Sequence, residues 1–163
     1  MKHTSSALAT GLILIFSLAG CASPVNPGEP EPQVISRLGK PTATYQDGNE
    51  RLLEYDGGAF GQQTYMARIG ADGRLISYEQ VLTMEKFATI KVGQFNKNDV
   101  LRTIGHPLDT TYYDRVKLEA WNYGFKESGV WNSEMTVYFD QAGIVRKLEN
   151  GPDPRYEHLR FGL

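Results

Sequence analysis

Cysteine is almost missing from this sequence, since Cys21 is the only one among 163 residues. A single thiol excludes an internal disulfide and any metal site built from several cysteines, so the fold must be stable through packing alone. Histidine is scarce as well, with three residues, and neither a His-Glu-x-x-His spacing nor a His/Asp/Glu cluster occurs. The sequence therefore predicts no metal site and no cofactor.

An excess of charge of one sign is also lacking. The chain has 17 Lys and Arg against 19 Asp and Glu, a net charge of −2. No strong field favours nucleic acid or anionic lipid. The sequence has no phosphate-binding loop with a following Lys-Ser/Thr and no Gly-x-Ser-x-Gly elbow. We expect no catalytic residues, no enzymatic activity and no nucleic-acid partner.

One short apolar run precedes the cysteine. Lys2 provides a positive start, and the run covers about residues 7–18, which suits a signal peptide but is below the roughly 20 residues of a spanning helix. Leu18-Ala19-Gly20-Cys21 resembles the lipobox of bacterial lipoproteins. The resemblance implies a signal peptide over residues 1–20 and lipidation of Cys21. Since Ala22 and not Asp follows, it also implies an outer-membrane location facing the periplasm. An ordinary secretory signal followed by a chance cysteine is the alternative.

Residues 21–32 contain half of the chain's eight prolines, at positions 24, 27, 30 and 32. Such a segment favours an extended polyproline conformation. We predict a tether that buries nothing and holds the body up to about 30 Å from the lipid, at about 3.1 Å per residue.

The body of the chain repeats itself. Residues 34–41 resemble residues 100–107, residues 53–55 resemble residues 121–123, and residues 69–73 resemble residues 139–143. The spacing grows from 66 to 68 to 70, as small loop insertions would cause. We predict a first repeat over residues 33–82, a second over residues 83–150, and a C-terminal tail over residues 151–163.

Each repeat begins with a helix and continues with strands. Asn96 is a good N-cap, and Gly105 and Gly39 supply helix stops before a proline. An extra short helix is predicted over residues 83–90. Alternation around Trp121 indicates strands with one buried face, three in each repeat. The predicted fold is α+β, with both repeats joined into one larger antiparallel sheet of six strands and the helices on one face.

Aromatic residues are the remaining candidates for function, because nine Tyr and two Trp are many for a core of this size. Aromatic side chains on an open sheet face offer a large contact area at low entropic cost. We select Tyr78, Trp131 and Tyr138 as candidate partner-binding residues; the alternative is that they cover loops or the junction between the repeats. His106, between the helix stop and Pro107, is predicted to be a solvated loop residue.

Several motifs of residues 84–149 together resemble the BamE (SmpA/OmlA) outer-membrane lipoprotein domain. They are Ile90-Lys91-Val92-Gly93, Ile104-Gly105-His106-Pro107, Trp121-Asn122-Tyr123 and Thr136-Val137-Tyr138-Phe139-Asp140. The doubled form is similar to β-lactamase-inhibitor-like folds, in which two helix-plus-sheet units build one concave sheet. The resemblance implies a small, non-enzymatic, lipid-anchored protein.

The function expected from these features is a binding or scaffolding module of the outer membrane. Its partner would be an envelope protein, such as a subunit of the machinery that assembles β-barrels, and its lipid anchor would hold it to the membrane. The alternative is a periplasmic inhibitor that binds an enzyme with the concave sheet face.

Overall fold

The computed structural model describes residues 24–57 and 61–159. The elements, in chain order, are α1 (Glu31–Leu38), β1 (Ala43–Asp47), β2 (Glu50–Asp56), β3 (Thr64–Ile69), β4 (Leu75–Gln80), α2 (Met84–Phe87), α3 (Lys97–Ile104), β5 (Asp109–Tyr113), β6 (Leu118–Glu127), β7 (Trp131–Phe139), β8 (Val145–Pro152) and a 3₁₀ helix (Pro154–Leu159). Strands β1 to β4 form one antiparallel sheet in that order, and β5 to β8 form a second.

The predicted α+β class is confirmed, but the sheets differ from the expectation. Within the described residues there are two separate four-stranded sheets instead of one sheet of six strands. The additional strands, β1 and β5, are short and follow the helix stops. All five residues of β5 are exposed. The strand therefore has no buried face, and no apolar alternation in the sequence predicts it.

Local sequence explains where the helices begin and end. The Asn96 side chain accepts hydrogen bonds from the first turn of α3, and the Asp99 carboxylate accepts one from the Asn96 backbone N–H, which forms a capping box. Helix α1 has Pro30 as its N-cap and lacks a side-chain cap. Both helices end at a glycine with positive φ, +88° at Gly39 and +79° at Gly105, a conformation that favours glycine.

Helix α3 lies between the two sheets. Its Val100 and Ile104 are fully buried in the cluster of the second sheet, together with Tyr123, Phe125 and Phe139. Its other side meets the first sheet, where the Nε of Arg102 is 3.9 Å from Asp47 of β1. The helices therefore do not share one face of a common sheet.

The first sheet is consequently covered on both faces. Leu53, Ala67 and Ile69 pack with α1, while Leu52 and Met66 form a separate buried cluster on the opposite face. In the second sheet, α3 covers only the face that carries Trp121, Tyr123 and Phe125. Its other face is the open face of the body.

The structure from Val25 to Glu31 differs from the predicted tether. Val25 is only 1% exposed and packs in the core of the first sheet. The backbone from Gly28 to Glu29 is hydrogen-bonded to Leu75, and α1 already begins at Glu31. Proline spacing does not exclude burial of the single apolar side chain between the prolines, so the body begins at about residue 25.

Candidate protein-binding surface

The sequence-predicted residues do not form one site. Cys21 lies outside the described residues, and its lipidation stays a prediction. Tyr78 is half-buried on the α1 side of the first sheet, where its ring stacks on Tyr65 at 5.2 Å. Burial and the neighbouring Tyr65 raise the pKa of the Tyr78 hydroxyl. Trp131 is 57% exposed at the start of β7, and Tyr138 lies on the open face of the second sheet.

The open face consists of side chains that point away from α3. It is defined here by the residues Tyr113, Asn122, Thr136, Tyr138 and Lys147, which span all four strands. Residues paired across antiparallel strands share a face, and Tyr138 is paired with Lys147. The face is therefore a continuous surface of the second sheet.

Tyr138 is the centre of this open face. Its ring is 6.4 Å from the Tyr113 ring, and the Nζ of Lys147 lies 5.6 Å from its centroid. Burial, followed by the hydrogen bond to Glu149, raises the pKa of Tyr138 to about 12. The Tyr138 hydroxyl therefore stays protonated at neutral pH and donates its proton to Glu149.

A row of polar side chains crosses the same face. Thr136 donates to Asn122 at 2.9 Å, and Asn122 donates to Asp109 at 2.6 Å. These hydrogen bonds hold the side chains in place across β5, β6 and β7. A preorganised row of polar groups beside two tyrosines has the composition of a protein-binding surface.

One edge of the second sheet is also accessible. Among the described strands, β5 pairs only with β6, and Tyr112 and Tyr113 are 48% and 47% exposed. Because successive side chains alternate between faces, Tyr113 belongs to the open face and Tyr112 points to the opposite side. This pair provides a matched comparison for any test of the open face.

A buried carboxylate, which sequence reasoning missed, joins the first sheet to the loop that follows α3. Glu54 of β2 is only 2% exposed. It accepts hydrogen bonds from the Tyr45 hydroxyl and from the backbone N–H of His106, the latter at 3.1 Å, and the Nδ1 of His106 is also 3.1 Å away. Burial and then the bond to Glu54 raise the pKa of Tyr45.

His106 is an exposed loop residue as predicted, but the structure adds contacts that the sequence did not indicate. Its side chain is 55% exposed, yet it contacts Glu54 and its Nδ1 is 2.8 Å from the Tyr45 hydroxyl. These contacts therefore attach the C-terminal end of α3 to the first sheet. The available signal was Glu54 itself, a charged residue within the apolar stretch Leu52-Leu53-Glu54-Tyr55.

Among residues 24–57 and 61–159, no three His, Cys, Asp or Glu side chains are placed to hold a metal ion. In the same part of the chain, no helix has the length and apolarity needed to cross a bilayer.

Residues 79–149 match the family model of the outer membrane protein assembly factor BamE domain. The match covers α2, α3 and β5 to β7 with the first part of β8, so it includes the open face, and it confirms the resemblance identified from the motifs. No curated protein sequence matches the chain. A solved structure of a DUF4309 family protein (YjgB) from Bacillus subtilis aligns with a TM-score of 0.32 and 12% identity, covering 76% of this chain and 78% of that chain. At that TM-score the likeness does not indicate a shared fold.

Proposed function

We propose that this protein takes part in outer-membrane protein assembly as a non-catalytic binding module. The observation that carries the proposal is the BamE-domain match over residues 79–149. The name of that domain indicates the process, and the open face provides a surface for a partner. The partner in this proposal is a subunit of the β-barrel assembly machinery.

The contact surface in this proposal is the open face around Tyr138. It is the face of the second sheet that α3 does not cover, and its tyrosines and ordered polar row suit protein recognition. Tyr78 is not part of it, because its ring packs against the core beside α1. Trp131 is not part of it either, because it lies at the start of β7.

The anchor in this proposal is lipid attached to Cys21, which places the body in the periplasm beside the outer membrane. Support comes from the lipobox-like motif at residues 18–21. Each buried methylene of a lipid chain contributes about 0.8 kcal/mol, so two or three chains give a lasting anchor. A Cys21→Ser variant should leave the membrane fraction; persistent membrane association would refute the anchor.

We also propose that residues 33–82 are a second copy of the module. The supporting correspondences lie in the connections around the two helices. Pro30 bridges to Arg74 and Asn96 bridges to Ile144, in each case between the helix start and the beginning of the last strand of its sheet. Gly39 and Gly105, which end the two helices, have similar backbone conformations.

The proposed function is tested by crosslinking in intact envelopes followed by affinity capture of the full chain. Recovery of a β-barrel assembly subunit is expected, and it should fall for Tyr138→Ala and Tyr113→Ala. Tyr112→Ala is the matched control, since Tyr112 has the same exposure on the other side of β5, and it should retain the partner. Recovery of no envelope protein would refute the function, and capture of a periplasmic enzyme instead would favour the inhibitor alternative.

A further inference from the structure

The face of the second sheet that carries Tyr138 continues past Thr136 to Glu134, which has a glycine on either side. Glu134 is paired with Gly124 of β6 and with Gly151 of β8. Because paired residues of antiparallel strands share a face, the two positions beside the Glu134 side chain carry no side chain of their own. A glycine inside a strand often marks a place where another group approaches the backbone closely.

The chain itself fills the space over Gly124. A Cβ added to Gly124 would overlap with a guanidinium nitrogen of Arg155 and would be 3.1 Å from a carboxylate oxygen of Asp153. Asp153 is 1% exposed, and its carboxylate accepts hydrogen bonds from the Nε and Nη2 of Arg155 at 3.0 and 2.6 Å. On one side of Glu134, therefore, a guanidinium held by a carboxylate lies against a glycine of the sheet.

The space over Gly151, on the other side of Glu134, is open. A Cβ added to Gly151 would have no atom of the described residues within 4 Å, apart from its chain neighbours. Neighbouring strands are about 4.8 Å apart, so a group over Gly151 is within reach of the Glu134 carboxylate. We call this space, between Glu134 and the backbone of Gly151, the Gly151 gap.

Glu134 has no counter-charge in contact with it. Among the described residues, no group forms a hydrogen bond or an ion pair with the half-buried Glu134 carboxylate. Burial, followed by the charges of Asp153 and Asp109, raises the pKa of Glu134, and Arg155, which is bound to Asp153, offsets this only in part. A partly buried carboxylate without a partner is unfavourable, and an arriving cation relieves that cost.

The two lysines on this face are already engaged. Lys147 forms an ion pair with Glu149, and the Nζ of Lys126 lies on the Oδ1 of Asn132 at 2.6 Å. Neither is within ion-pair distance of Glu134 in the described structure. The counter-charge for Glu134 therefore has to come from another molecule.

We propose that the Gly151 gap receives an arginine side chain of the partner protein, whose guanidinium pairs with Glu134. This inference rests on the proposed function and specifies the chemistry of its partner, a segment that lies along the open face and presents an arginine at this end. Arginine is chosen over lysine because the chain's own Arg155 already occupies the corresponding place over Gly124. A guanidinium also stays charged and pairs with a carboxylate through two parallel hydrogen bonds.

The first test uses the purified full chain and a single arginine. N-acetylarginine amide is titrated into the ¹⁵N-labelled protein, and the backbone amide signal of Gly151 is followed by NMR. We expect a saturable shift at about 10 mM ligand, the weak affinity of one ion pair. N-acetylcitrulline amide has nearly the same shape without the charge and should shift the signal far less. Equal shifts for the two compounds would overturn the proposal.

Two variants test the gap and its carboxylate separately. Glu134→Gln removes the charge, and Gly151→Val fills the gap at a strand position where a β-branched side chain is favoured. Both should reduce the arginine affinity about fivefold or more, and circular dichroism should show that both are folded. Glu79→Gln, which removes the same charge from the first sheet, should leave the affinity unchanged. An unchanged affinity in Glu134→Gln or in Gly151→Val would overturn the proposal.

The second test repeats the envelope crosslinking with the same variants. Recovery of the partner should fall for Glu134→Gln and Gly151→Val and should be retained for Glu79→Gln. If both gap variants retain the partner while Tyr138→Ala loses it, this inference is overturned and the proposed function stands. If the wild type recovers no envelope protein, the proposed function fails, and the arginine titration still decides whether the gap binds a guanidinium.

A second copy of the chain is the competing occupant. Sedimentation of the purified protein distinguishes it, because a dimer that Glu134→Gln dissociates would overturn the proposal in favour of self-association. A monomer whose Gly151 signal responds to arginine, and not to citrulline, supports the partner's arginine.

Discussion

Replacing Glu54 by alanine should destabilise the protein and loosen the contact between its two sheets. The carboxylate is buried and accepts hydrogen bonds from the Tyr45 hydroxyl and from the His106 backbone. A hydrogen bond to a charged group contributes about 1.5–3 kcal/mol. In the variant, water can hydrate the Tyr45 hydroxyl and the half-exposed His106 ring. The His106 backbone N–H, which follows the buried Gly105, loses its acceptor. We therefore expect a loss of about 2–3 kcal/mol, below the 3–5 kcal/mol of a fully buried pair.

Urea denaturation of the full chain measures this loss. Glu79→Ala is the control, because Glu79 lies on the same sheet in an exposed pair with Lys86 at 2.8 Å and should cost less than about 1 kcal/mol. Trp121 is buried in the second sheet, so its fluorescence reports that sheet while circular dichroism reports both. The two transitions should coincide in the wild type and separate in Glu54→Ala. A loss below about 1 kcal/mol with coincident transitions would refute the reasoning, since a water molecule would then replace the carboxylate at little cost.

Three further predictions concern stability. Trp121→Ala should cost about 3–5 kcal/mol in urea melts, because its ring is buried among the second-sheet aromatics; a loss below about 1 kcal/mol would contradict the core assignment. Gly105→Ala should cost about 1–3 kcal/mol for its backbone conformation plus a contact 2.8 Å from the Glu54 carboxyl carbon. Gly93 has a similar φ and open space around it, so Gly93→Ala measures the cost of the backbone conformation alone. An equal loss of stability at both sites would exclude a contribution from the contact with Glu54. Burial, followed by the charges of Asp153 and Asp109, raises the pKa of Glu134. The folded state therefore favours the protonated carboxyl, so stability falls as pH rises above its usual pKa, and Glu134→Gln should raise the urea midpoint at pH 7 but not in acid; no gain at pH 7 would contradict this.

The helices and most strands could be predicted because their signals are local. Asn96 and Asp99 define the start of α3 within one turn, and Gly105 with Pro107 defines its end. Alternation around Trp121 identified the buried face of β6. Strand β5 lacked such a signal, since all its side chains are exposed, and its pairing with β6 depends on backbone hydrogen bonds that no side-chain pattern records.

The candidate surfaces were only partly accessible from sequence. Tyr138 lies on the open sheet face and Trp131 is exposed at the start of β7, and their binding of a partner stays a prediction. Tyr78 was selected by the same reasoning, yet its ring packs against the first core. Aromatic composition alone does not distinguish the covered face of a sheet from the open one.

By itself the sequence determined the α+β class, the limits of α3 and the end of α1, because the signals for these helix limits lie a few positions apart. Only the tertiary structure decided that α3 lies between two sheets, that Glu54 contacts His106, and that the Arg155 guanidinium lies against the backbone of Gly124. These contacts join residues separated by tens of positions, and their geometry depends on how two cores pack together, which periodicity within either one does not specify.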